Sequence, residues 1–204
     1  MRYLPYHGYH GKREQAAPKA PQSLWIRIVK QVYPYVILVL VLFVLLQFTI
    51  MLNYVPTGSM LPTIPEGSLL VSTRYDVGDI KRYDIVIFWS PVEEDTVLIK
   101  RVIGLPGETI TIFDGNVYAD GVKLDDSFLA EPMDDSGEGV YEVPEDSCFV
   151  LGDNRNDSWD SRFIGCIPAE NMVAKAKFIL YPFSRAGFLC AFAVGRAGNS
   201  QSIF

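Results

Sequence analysis

Residues 35–52 read YVILVLVLFVLLQFTIML, an 18-residue apolar run interrupted only by Gln47 and Thr49. As a helix the run is about 27 Å long at ~1.5 Å per residue, close to a hydrocarbon core of ~30 Å. A core helix of a soluble protein carries a polar face, and this run has none. A cleavable leader has a shorter apolar part, roughly 7–15 residues, before a small-x-small site. Here Asn53-Tyr54-Val55-Pro56 follows instead. A permanent single membrane span over 35–52 is therefore expected. It divides the chain into a disordered tail at 1–34, a folded domain at 53–185 and a short tail at 186–204.

Charge orients the span. Before Tyr35 there are six basic residues (Arg2, Lys12, Arg13, Lys19, Arg27, Lys30) against Glu14 alone, a balance of +5. Basic flanks stay in the cytoplasm. Of the chain's 18 basic and 24 acidic residues, 12 and 23 lie beyond the span, giving −11 there. The expected location is the cell membrane, with the N-terminus cytoplasmic and the acidic domain outside. Nucleic acid, which attracts basic surfaces, is excluded as a partner. The apolar segment 186–194 is too short for a second span and is assigned either to the membrane surface or to a packed strand.

About 150 residues follow the span, enough for one domain with a sizeable core. Short β-rich runs recur between turn signals at 68–75, 84–89, 96–103, 109–113, 117–119, 148–151 and 174–181. Asp114-Gly115 and Asp120-Gly121 are hairpin signals. Only 168–176 has a helical period. The fold class expected is mainly β: one N-terminal transmembrane helix followed by an antiparallel β-sheet domain.

Both histidines, His7 and His10, precede the span. The folded domain therefore contains none, which excludes Ser-His-Asp and Cys-His arrangements and histidine-ligated metal sites. The cysteines Cys148, Cys166 and Cys190 have no metal-ligand spacing. They read as buried free thiols, with a Cys148–Cys166 bridge as the alternative. A hydrolase built on this domain needs another base for its nucleophile, and lysine is the main candidate.

Seven residues past the span lies Ser59, within Pro56-Thr57-Gly58-Ser59-Met60-Leu61-Pro62-Thr63. At most roughly 25 Å of extended chain separates Ser59 from the membrane. Taken alone the segment reads as a linker. Among the lysines beyond the span, Lys100 has a distinctive setting, because strand alternation puts it on one face with Leu98 and Val102. Burial there lowers an amine's pKa. The pattern is equally compatible with an edge-strand lysine reaching solvent. A third feature is the polar loop Gly152-Asp153-Asn154-Arg155-Asn156-Asp157-Ser158-Trp159-Asp160-Ser161-Arg162. Its groups are able to satisfy one another and support a site. Asp153, Asp157 and Asp160 also suggest calcium, but the EF-hand spacing is absent and two arginines intrude.

Together and in this order, the Gly58–Thr63 segment, Gly78-Asp79 with Tyr83–Phe88, Lys100–Gly104 with Pro106-Gly107-Glu108, and the Gly152–Arg162 loop resemble the bacterial type I signal peptidases. The resemblance covers roughly 56–183. It implies that Ser59 is the nucleophile and Lys100 the general base. Ser158 is implied to orient the Lys100 amine, Asp160 and Arg162 to pair beneath the site, and Asp153 to support the loop. The oxyanion site would combine the Ser59 N–H with the Thr57 hydroxyl, at a position where serine is commoner in the family. Val55, Met60, Ile64, Ile87 and Ile99 match positions lining shallow substrate pockets, and each is equally explicable as core. Only 49 residues separate Gly104 from Asn154, which implies a compact form without a large inserted subdomain. No cofactor is implied. The implied partners are signal-peptide-bearing preproteins cut at Ala-x-Ala sites, membrane lipid and a nearby secretion translocon. Two further readings stand beside this one: a processor of a narrow client set such as pilins, and a non-catalytic binding domain displayed at the surface.

Overall fold

The computed structural model describes residues 23–189. His7, His10, Cys190 and most of the two expected tails lie outside the described residues. The chain falls into two compact units, one ending at Phe43 and one beginning at Val44.

Helix α1 spans Leu24–Thr49 and includes Pro34. Its Leu24–Leu46 portion is long and apolar enough to cross a membrane. Both expected limits of the helix shift. It begins at Leu24, because Leu24, Trp25, Ile26, Ile28, Val29 and Val32 extend the apolar pattern ahead of Pro34. The expected disordered tail is therefore helical from Leu24 to Pro34. At the other end the helix stops at Thr49, and the last three residues of the apolar run open a strand, β1 (Ile50–Val55).

The remaining strands are β2 (Ser68–Thr73), β3 (Ile85–Trp89), β4 (Val97–Gly104), β5 (Thr109–Phe113), β6 (Asn116–Ala119), β7 (Val122–Lys123), β8 (Gly139–Glu142), β9 (Ser147–Leu151), β10 (Ile167–Pro168), β11 (Met172–Tyr181) and β12 (Gly187–Phe188). The larger sheet has the order β1-β2-β11-β3-β4-β9-β10, with β12 on β11; the smaller has the order β7-β6-β5-β8. Every pairing is antiparallel. The domain is mainly antiparallel β. The helical period at 168–176 is overridden. Ala169–Asn171 forms a 3-10 turn, and from Met172 the chain is a central strand bonded on both sides, to β2 and β3.

Turn chemistry explains the smaller sheet. Asp114 (φ 48°) with Gly115 (φ 66°), and Asp120 (φ 49°) with Gly121 (φ 78°), adopt the left-handed pairs that two-residue hairpins require. They join β5 to β6 and β6 to β7. Gly104 ends β4 where a Cβ would meet Ile110 Cγ1 at 2.7 Å and Phe149 Cβ at 2.8 Å. That close approach packs the smaller sheet onto the core of Ile103, Ile110, Ile112, Phe149 and Leu151.

Cys148 is buried with Val150 and Val86, whereas Cys166 packs against the separate cluster containing Phe149. Ile167, not Cys166, is the residue opposite Cys148. The two thiols therefore belong to different faces, and both are free.

Candidate active site

Two strands and one loop converge on Ser59. β1 delivers the chain into the turn at Pro56–Thr57. There the Leu61 N–H donates to the Gly58 carbonyl (3.0 Å) and the Ile64 N–H to the Met60 carbonyl (2.8 Å). Met60 and Ile64 are wholly buried with Val55, Leu70 and Ile85, which anchors the turn from below. Ser59 is only 8% exposed.

β4 supplies the lysine. Lys100 lies opposite Val86 on β3 and is 3% exposed. Its Nζ is 2.6 Å from Ser59 Oγ. When the amine is protonated it donates to the hydroxyl oxygen; when neutral it accepts the hydroxyl proton. Burial disfavours the ammonium and pulls the Lys100 pKa down from 10.5 to about 8. Asp160 and Asp153 oppose that shift, and Arg162 reinforces it.

The Gly152–Arg162 loop holds these charges in pairs. Asp153 accepts two bonds from Arg101, at 2.7 Å from Nε and 2.6 Å from Nη2. Arg101 also donates to the Tyr83 carbonyl (3.0 Å) and Thr63 Oγ1 (3.3 Å), and its guanidinium lies 4.3 Å from the Phe128 ring centre. Asp160 accepts from Arg162 Nε (2.9 Å) and Nη2 (3.0 Å), and from the Gly152 N–H (3.0 Å). It also caps the short helix α2 (Ser161–Ile164) through the Arg162 N–H. Both side chains of this pair are fully buried. Asp153 and Asp160, two of the three residues that suggest calcium in the sequence, are thus engaged by guanidinium groups.

Gly152 is required by close approach. A Cβ there would lie 2.1 Å from Ser158 Oγ and 2.6 Å from the Ser59 carbonyl oxygen. Ser158 therefore lies against the Ser59 loop. Its hydroxyl is buried and makes no hydrogen bond, so the contact to Lys100 that the resemblance implies is not formed here. Thr57 Oγ1 is 3.4 Å from Ser59 Oγ. Of the expected pocket residues, Val55, Met60 and Ile64 share one cluster with the half-buried Ile99, and Ile87 lies opposite Ile99 on the neighbouring strand.

Two participants escaped the sequence reading as site residues. Arg101 was recoverable: alternation puts a charged side chain on the apolar face of Ile99 and Ile103, and that demands a buried partner. Asn154 carried no such signal. Its backbone N–H donates to the Ser59 carbonyl (3.0 Å) and its Nδ2 to the Gly58 carbonyl (3.2 Å).

A buried serine hydroxyl thus touches a buried lysine with a depressed pKa, on a β domain that follows one apolar helix. The family described as signal peptidase, peptidase S26, matches residues 25–181, and the chain belongs to that family. It is 37% identical over 180 residues to a probable signal peptidase I-1 of Synechocystis sp., covering 83% of this chain and 91% of the relative. It is 38% identical over 159 residues to the signal peptidase I of Bacillus caldolyticus, covering 70% and 86%. A crystal structure of a signal peptidase I from Enterococcus faecalis V583 is similar at 33% identity and a TM-score of 0.42, covering 48% of this chain and 96% of that one.

Proposed function

We propose that this chain is a membrane-bound serine endopeptidase that removes signal peptides from exported preproteins after small-x-small sequences, using Ser59 and Lys100. The observation that carries the reading is the 2.6 Å contact between Lys100 Nζ and Ser59 Oγ, made by an amine whose pKa burial has lowered to about 8.

Neutral Lys100 takes the Ser59 proton as Oγ attacks the scissile carbonyl. The oxyanion that forms is held by the Ser59 N–H and the Thr57 hydroxyl. The ammonium of Lys100 then gives its proton to the departing amine of the mature chain, leaving the signal peptide esterified to Ser59. Water, deprotonated in turn by Lys100, attacks the ester. Collapse returns the proton to Ser59 and frees the signal peptide. Of the five expected pocket residues only Ile99 is partly exposed and able to meet the residues before the cut; Val55, Met60, Ile64 and Ile87 are buried and form the apolar bed beneath it. Methyl-sized side chains fit such a bed, and larger ones are rejected.

The span crosses once, with the basic N-terminal side in the cytoplasm. Lipid is a direct partner of the catalytic domain. Ile50, Leu52 and Tyr54 alternate outward along β1, and Tyr181, Phe183 and Phe188 are also exposed. Nearness to the translocon follows from a substrate that leaves it still anchored by its signal peptide.

The test is cleavage of a preprotein ending its leader in Ala-x-Ala, in detergent, by wild type, Ser59→Ala and Lys100→Ala. Cutting by wild type alone is expected; equal cutting by all three would overturn the assignment.

A further inference from the structure

Asn154 grips the nucleophile's loop at two successive carbonyls, Ser59 through its backbone (3.0 Å) and Gly58 through its side chain (3.2 Å). A carbonyl has nothing to donate, so the Asn154 amide must present its NH₂ to Gly58. The Gly58 C=O and the Ser59 N–H belong to one planar trans peptide and point in opposite directions. Whatever fixes the carbonyl therefore fixes the N–H. Glycine at 58 makes that plane unusually free to rotate, so its direction must be imposed from outside. Two donors impose it: the Leu61 N–H at 3.0 Å, within the turn, and Asn154 Nδ2, from a residue 96 positions away.

We propose that Asn154 is a positioning residue for the oxyanion site: by holding the Gly58 carbonyl it aims the Ser59 N–H at the oxygen of the tetrahedral intermediate. This rests on the assignment of Ser59 as nucleophile. The bond also polarises the peptide, which makes its N–H a stronger donor. Because the contact acts where charge develops and not on the bound substrate, its loss lowers kcat and leaves KM in place. The Lys100 amine is untouched, so the pH dependence is unchanged.

The test compares Asn154→Ala with wild type, since alanine keeps the backbone bond to Ser59 and removes only the side-chain donor. The expected fall in kcat is about tenfold, below the ~10²–10³ for loss of an entire oxyanion donor, because Leu61 still holds the carbonyl. KM, product-peptide affinity and the acid limb of the pH profile stay within about twofold of wild type. A peptide boronate ending in alanine, whose tetrahedral Ser59 adduct places an oxygen in the oxyanion site, loses affinity by the same factor as kcat. An unchanged kcat, or equal losses for the boronate and the product peptide, would overturn the proposal, as would a shifted acid limb. If the alanine variant does not fold, Asn154→Leu keeps the approximate shape, removes the donors without adding charge and carries the same comparison. Failure of wild type to cut any preprotein would refute the Ser59 assignment itself, a result distinct from a normal Asn154→Ala enzyme.

Discussion

In Lys100→Met a thioether of similar length takes the place of a buried amine, and the consequence for stability depends on pH. The folded pKa of about 8 lies below the ordinary 10.5, so between those values the unfolded chain binds more protons than the folded one. Wild-type stability therefore rises with pH across that window. Below pH 8 both states are protonated and the full penalty applies: about 2.5 pK units at ~1.36 kcal/mol each, or ~3 kcal/mol. Losing the bond to Ser59 offsets roughly 1 kcal/mol of that relief. Lys100→Met should thus be inactive yet more stable than wild type by about 2 kcal/mol at pH 7, with the advantage shrinking as pH approaches 10. The assay is urea unfolding of the sheet domain, followed by tryptophan fluorescence in detergent micelles at pH 7 and pH 10. Other groups titrate equally in both proteins and cancel in the difference. An Lys100→Met gap that is absent at pH 7, or equal at the two pH values, would falsify the claim that burial depresses this amine.

Two further outcomes follow from the loop. Gly152→Ala forces a methyl group to within 2.1 Å of Ser158 Oγ and 2.6 Å of the Ser59 carbonyl; it should cost about 1–3 kcal/mol as overpacking, and single-turnover kinetics should show a loss in the chemical step with binding retained. Arg162→Ala strips the fully buried Asp160 of its guanidinium partner; the uncompensated charge should lower stability by about 3–5 kcal/mol, read as a fall in the urea midpoint at pH 7.

Strand positions were largely legible because each carries its own apolar alternation: β5 over Thr109–Phe113 coincides with the expected range, and β2, β3 and β4 agree to within two residues at either end. The hairpins were legible because Asp-Gly pairs tolerate left-handed backbone. β1 was hidden for the opposite reason. Ile50, Met51 and Leu52 are as apolar as the helix before them, and only pairing with β2 through Val71, Ser72 and Thr73 reveals the change of structure. β8 and β10 are two to four residues long and exist by virtue of their partners. At the site, the residue types could be read from motifs, but the meeting of Ser59 and Lys100 across 41 positions is made by the tertiary fold. The Asn154 contacts were invisible because a polar residue in a polar loop gives no sign of which carbonyl it will reach.

The pH dependence of kcat/KM for preprotein cleavage bears on the whole mechanism, since the proposed reaction runs through the neutral form of one buried amine. The expected profile rises with unit slope through the acid range and levels near pH 8, the value set by the burial of Lys100; Lys100→Arg, which keeps the charge but has no neutral form, is inactive throughout. A profile that levels near pH 6.5 or only near 10.5, or an arginine variant that still cuts, would contradict a base at Lys100.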